Sequence, residues 1–131
     1  MFNLFSKKPV AIHEPTSLQI ADIKKLNPIV SQMILNGIDC DSLPNGKGPF
    51  GSASNPIPVN GTIGEIKYLG KLRGRTGYPV FFHRLFSINS SVTDNPIDKY
   101  ELVCLDGTQW TSLFFDIYHP RRSNKCPDGF T

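Results

Sequence analysis

The dipeptide Asp106-Gly107, set between two runs of aromatic and branched residues, constrains this chain more than any other feature. Asp-Gly readily adopts the left-handed backbone that a two-residue hairpin turn requires. With that turn in place Leu105 stands opposite Thr108, and the register of both flanking strands follows because strand side chains alternate between faces. One face then carries Tyr100, Leu102, Cys104, Thr111, Leu113, Phe115 and Ile117, an apolar surface that must be covered. The other carries Glu101, Val103, Leu105, Trp110, Ser112, Phe114, Asp116 and Tyr118. Its mixture of aromatics and carboxylates makes it either a partly covered face or a binding surface.

The same chemistry extends the sheet upstream. Strands are expected at Gly64–Leu72, Val80–Ile88, Tyr100–Leu105 and Trp110–His119, all rich in branched and aromatic residues. Arg73–Gly77 suits a tight hairpin loop between the first two, and Asn89–Asp98 reads as a longer polar excursion. Before them the pattern is helical. Thr16 or Ser17 can cap a helix over Leu18–Leu26, and Asn27-Pro28 supplies a second cap followed by proline at the first helical position. Ile29, Val30, Met33 and Ile34 keep helical spacing, and Asn36-Gly37 offers a left-handed stop with Ile38 folding back onto the last turn. Between the two patterns, from Asp39 to Gly61, four prolines interleave with four glycines and deny both helix and sheet pairing. Ile57 and Val59 suggest that part of this loop is anchored.

These readings predict an α+β fold in which an N-terminal helix or helix pair packs on a mostly antiparallel sheet, a β-meander of four or more strands. The Pro/Gly-rich segment should wrap an edge or end of that sheet. At 131 residues the chain is the size of one domain. Its expected parts are an N-terminal arm (1–15), a helical region (16–38), the loop (39–61), the sheet (62–119) and an irregular tail (120–131).

Cys40, Cys104 and Cys126 are odd in number and widely spaced, which fits unpaired thiols in a reducing compartment better than a disulfide framework. No pair has metal-ligand spacing, and no cofactor motif is complete. The N-terminus places Phe2, Leu4 and Phe5 before Lys7 and Lys8, the reverse of a signal peptide. No apolar run approaches the roughly 18 residues that a membrane span needs. The expected location is cytoplasmic.

Gly46-Lys47-Gly48-Pro49-Phe50-Gly51 matches the dinucleotide fingerprint in form, but Pro49 removes an amide donor and no helix can follow. Asp39-Cys40-Asp41 lacks the further ligands of a calcium loop and reads as a turn. His83 and His119 stand near Arg84, Arg121 and Arg122, residue types that serve acid–base cleavage of a phosphodiester if they share a cleft.

Three functions follow. The absence of a complete catalytic set, beside a mixed aromatic and charged sheet face, points first to a non-enzymatic protein-interaction module of inhibitor, immunity or adaptor type. The expected binding residues are Arg73, Arg75, Arg84, Trp110, Asp116, Tyr118, Arg121 and Arg122, and the partner is another protein or a second copy. The alternative is an RNA or single-stranded nucleic-acid binder in which Lys67, Lys71, Arg73, Arg75, Arg121, Arg122 and Lys125 contact phosphate while Tyr68, Tyr78, Trp110 and Tyr118 stack on bases. The net charge of +3 permits this without announcing it. The third reading is a small hydrolase or nuclease built on His83 and His119.

Overall fold

A computed structural model describes residues 28–131. The predicted helix over Leu18–Leu26 and the N-terminal arm lie outside the described residues. The described chain is α+β. It runs through α1 (Pro28–Asn36), β1 (Ile57–Pro58), α2 (Gly61–Lys71), β2 (Val80–Asn89), β3 (Pro96–Cys104) and β4 (Thr111–Asp116).

The four strands form one sheet in the order β1-β4-β3-β2. The last three are the expected antiparallel meander, but β1 lies parallel to β4, so the sheet is mixed. The parallel pair arises inside the Pro/Gly-rich segment. Pro58 cannot donate to a ladder and is confined to an edge, where β1 sits. Its neighbours Ile57 and Val59 are fully buried, which anchors the loop as their apolar character suggested. The same loop reaches β4 a second time, the Phe114 amide donating to the Gly51 carbonyl at 2.8 Å.

The segment read as a first strand, Gly64–Leu72, is helix α2. Its branched residues favour a strand locally, yet the buried positions Glu65, Tyr68, Leu69 and Leu72 recur at helical spacing. Gly64 is a packing glycine: a β-carbon there would sit 3.3 Å from the Val59 Cβ and 2.5 Å from Asn60 Oδ1. Burial against the sheet therefore overrides the weak propensity of a helix holding two internal glycines. The turn after it closes as a helix-to-strand connection rather than a hairpin, with Arg73 bridging Pro79.

Among the described residues it is α2 that covers the apolar sheet face. Tyr68 stacks edge-on against Phe115 with ring centroids 5.5 Å apart, and Phe115 stacks edge-on against Tyr100 at 5.4 Å. Leu69, Leu102, Cys104 and Leu113 complete the core. Helix α1 spans Pro28–Asn36 and ends where its sequence signals imply, but Ile29 and Leu35 on it are exposed. Gly37 is not in the left-handed region. Its missing side chain serves close approach instead, since a β-carbon would lie 2.0 Å from the Tyr118 carbonyl oxygen.

Strand β3 starts at Pro96, four residues before the expected Tyr100, because buried Ile97 pairs with Ile88 and draws the end of the polar excursion into the sheet. At the hairpin, Gly107 is left-handed as expected (φ 83°), but the turn spans three residues: the Cys104 amide donates to the Thr108 carbonyl. The ladder beyond pairs Leu102 with Thr111. Between these contacts one strand has Val103 and the other has Gln109 and Trp110, so Gln109-Trp110 forms a bulge. The bulge restores the predicted alternation, and Tyr100, Leu102, Cys104, Leu113 and Phe115 are all buried.

Candidate interaction face

The sheet face opposite α2 is built from three cross-strand rows. Phe81 pairs with Val103, which the Gln109-Trp110 bulge meets from the other side. Next, His83 pairs with Glu101 and Glu101 with Ser112. Then Lys99 pairs with Phe86 and Phe114, its ammonium 5.5 Å and 5.7 Å from the two ring centroids. A cation at that range is attracted to both ring faces. Two aromatic rows thus flank a polar one, and Phe86 (47%) and Trp110 (69%) are exposed. Exposed aromatics gathered on one face mark interaction surfaces more often than scattered ones do.

Trp110 is held there by a strained neighbour. Gln109 has φ 62°, and it is the one non-glycine among the described residues with a left-handed backbone. Such a conformation persists where the surroundings over-determine it. They do so here: Gln109 Oε1 accepts from the Arg75 amide at 2.9 Å and from the Cys104 thiol at 3.4 Å, while Nε2 donates to the Gly129 carbonyl at 2.8 Å. The residue after this anchored bulge is the tryptophan.

Beneath β2 lies a buried acid cluster that the sequence did not disclose. The Tyr100 hydroxyl donates to Glu65 Oε1 at 3.1 Å, and Glu65 is wholly buried. Burial, together with a hydrogen bond to Asp98 and its charge, pushes the Glu65 carboxyl up to about 9, so it holds its proton at neutral pH. Burial also works against the Asp98 charge, but hydrogen bonds from Glu65, Ser87 and Arg84 outweigh it and keep that carboxylate below its usual range. Arg84 and Ser87 approach the same Asp98 oxygen, at 3.2 Å and 2.5 Å, and they straddle the irregularity in β2 between Arg84 and Phe86. Nothing in the local sequence links Glu65 to Asp98; the register of β3 and the burial of α2 bring them together.

The predicted catalytic histidines occupy different settings. His83 is exposed in the polar row, its Nε2 3.7 Å from Glu101. His119 is buried beyond β4, its Nδ1 2.8 Å from the Ile38 carbonyl and its Nε2 3.1 Å from Asp116 Oδ2. Burial disfavours the imidazolium, yet the contacts with Asp116 and Ile38 prevail and raise its pKa. Both ring nitrogens are directed at structural partners, and no contact joins the two histidines.

The predicted binding residues are likewise dispersed. Arg73 donates to the Gly70 and Leu72 carbonyls at the end of α2, a C-terminal cap. Arg121 is bracketed by Asp39 at 2.5 Å and Asp41 at 2.6 Å, and the Asn124 amide also donates to Asp41. Arg122 lines a groove of about 220 Å³ with Tyr68, Lys71 and Cys126. Arg75 lies beside Gln109, whereas Asp116 and Tyr118 belong to the buried end near His119 and Asn60. Of the set, Trp110 stands on the aromatic face, and Arg84 lies on the strand at its rim. No cluster of three or more ligating side chains is placed to hold a metal among the described residues. No helix among them is long and apolar enough to cross a membrane.

No protein-family model matches this chain, and neither a curated protein nor a solved structure matches it.

Proposed function

We propose that the chain is a protein-interaction module that binds another protein through the outer face of β2, β3 and β4. One observation carries the reading: the two aromatic rows lie on the face opposite α2, Phe86 and Trp110 on it are exposed, and an anchored, strained residue sets Trp110 in place. Tryptophan and tyrosine dominate the binding energy of interfaces, and strain tends to be stored where it serves function. The nucleic-acid alternative draws less support, because Arg73 caps a helix and Arg121 is paired with two carboxylates rather than joining a basic stripe.

The test separates binding from folding. Replacing an exposed side chain with no buried partner changes stability by only about 0.5 kcal/mol, so Trp110→Ser and Phe86→Ser should fold like the parent. The parent chain should capture a specific protein that survives nuclease treatment, and each variant should lose it. Capture unaffected by both substitutions would refute the reading, as would capture that vanishes with nuclease.

A further inference from the structure

We infer that Asn36 is a site of spontaneous deamidation, and that its product loosens the contact between the end of α1 and the chain after β4. The reaction needs no enzyme. A base takes the proton of the following backbone amide, whose nitrogen attacks the asparagine Cγ. The new N–Cγ bond closes a five-membered succinimide, and the Cγ–Nδ2 bond breaks as the nitrogen regains a proton and leaves as ammonia. Water then opens the ring on either side, leaving aspartate or an isoaspartyl link in which the main chain runs through Cγ. A following glycine favours closure because no side chain crowds the attacking nitrogen. The chain holds three such pairs, Asn36-Gly37, Asn45-Gly46 and Asn60-Gly61.

Tertiary structure ranks the three. To react, the glycine nitrogen must give up its own hydrogen bond and the carboxamide must swing over it. The Gly46 amide donates to the Leu43 carbonyl at 3.0 Å, and Asn45 Nδ2 donates to the Val92 carbonyl at 2.7 Å. The Gly61 amide donates to the Ile117 carbonyl at 2.8 Å, and Asn60 Oδ1 is buried. By contrast, the Gly37 amide reaches the Ile34 carbonyl only at 3.4 Å, beyond the usual span of such a bond. Asn36 is exposed, and among the described residues no hydrogen bond holds its side chain. It is also the last residue of a nine-residue helix, where fraying frees the backbone most readily.

The product arises where the fold has no slack. A β-carbon on Gly37 would lie 2.0 Å from the Tyr118 carbonyl oxygen. The residues just beyond are stitched to the same stretch, Ile38 through His119 and Asp41 through Ser123 and Asn124. An isoaspartyl link inserts a methylene into the main chain immediately before this seam. Either product also places a negative charge at the helix C-terminus, where the backbone dipole disfavours it.

The full chain is aged at pH 8 and sampled by peptide mapping with mass spectrometry, beside the same chain unfolded in urea. Unfolded, the three asparagines should convert at similar rates. Folded, Asn36 should convert at least about tenfold faster than Asn45 and Asn60, because closure at those two requires local opening of the fold. Conversion at Asn36 should slow at pH 6, as loss of the amide proton to a base requires. The aged parent should then unfold at lower urea than the fresh one. Asn36→Gln, whose longer side chain closes a ring far more slowly, should keep its midpoint on ageing. Conversion led by Asn45 or Asn60 in the folded chain would overturn the proposal, as would a folded Asn36 as inert as the other two. A chain converted at Asn36 that kept the fresh midpoint would overturn the loosening of the seam.

Discussion

The Tyr100 hydroxyl donates to Glu65 Oε1 at 3.1 Å, joining the sheet to α2 through a carboxyl that keeps its proton. That proton ties folding to pH. The unfolded carboxyl titrates near 4.5, whereas the folded one does so near 9, so the folded state binds the proton more tightly. The stabilisation is complete below the unfolded value and disappears as pH rises through the folded one. Urea denaturation at pH 5, 7 and 9 should show stability falling across that window. In Glu65→Gln, whose amide has no proton to lose, the fall should be shallower; an unchanged slope would assign the pH dependence elsewhere.

His119 and Asp116 supply a second window. The raised imidazole pKa means that the contribution is fully present below about 6.5, the unfolded value, and is lost as pH climbs through the folded one. Removing the imidazole strands a buried carboxylate, a loss that typically costs about 3–5 kcal/mol. His119→Ala should therefore lower stability by that order at pH 6 in chemical denaturation, with a smaller loss at pH 8. Equal losses at both pH values would count against an ion pair.

Gln109 tests whether strain and anchoring can be separated. Gln109→Ala removes three hydrogen bonds and leaves a side chain in the left-handed region, whereas Gln109→Gly removes the bonds and relieves the conformation. The glycine variant should be the more stable of the two by about 1 kcal/mol in thermal or urea unfolding. In both, Trp110 fluorescence should report a looser environment, because the bulge has lost its anchor.

Gly37 should tolerate almost nothing. The α-hydrogen that a side chain would replace points at the Tyr118 carbonyl, and a methyl group there must displace backbone. Overpacking of this kind costs about 1–3 kcal/mol, so Gly37→Ala should unfold at lower urea than Gly77→Ala. At Gly77 a β-carbon meets nothing within 4 Å, although φ is 83°. If Gly77→Ala proved the worse of the two, backbone conformation and not close approach would rank these glycines.

Much of the sheet could be read from local chemistry. Gly107 set the position of the hairpin, and period-two alternation around it assigned the buried face from Tyr100 to Phe115 correctly. The mixed aromatic face that carries Trp110 was legible for the same reason. Alternation is a local property, and a strand with one dry face must obey it. The ends of elements were less legible: Ile97 belongs to β3 because Ile88 lies beside it, and neither residue announces the other.

What the sequence by itself determined, then, was the α+β character, the helix that ends at Asn36, the β2–β3–β4 meander and its two faces. Tertiary structure alone decided that Gly61–Lys71 is helical, that Ile57–Pro58 runs parallel to β4, and that Glu65 meets Tyr100 and Asp98. Each of these depends on partners tens of residues apart. A glycine-bearing segment with branched residues is nearly neutral between helix and strand, so its conformation is set by the apolar surface available to bury it. A carboxyl keeps its proton only once folding has removed water and placed a second acid beside it.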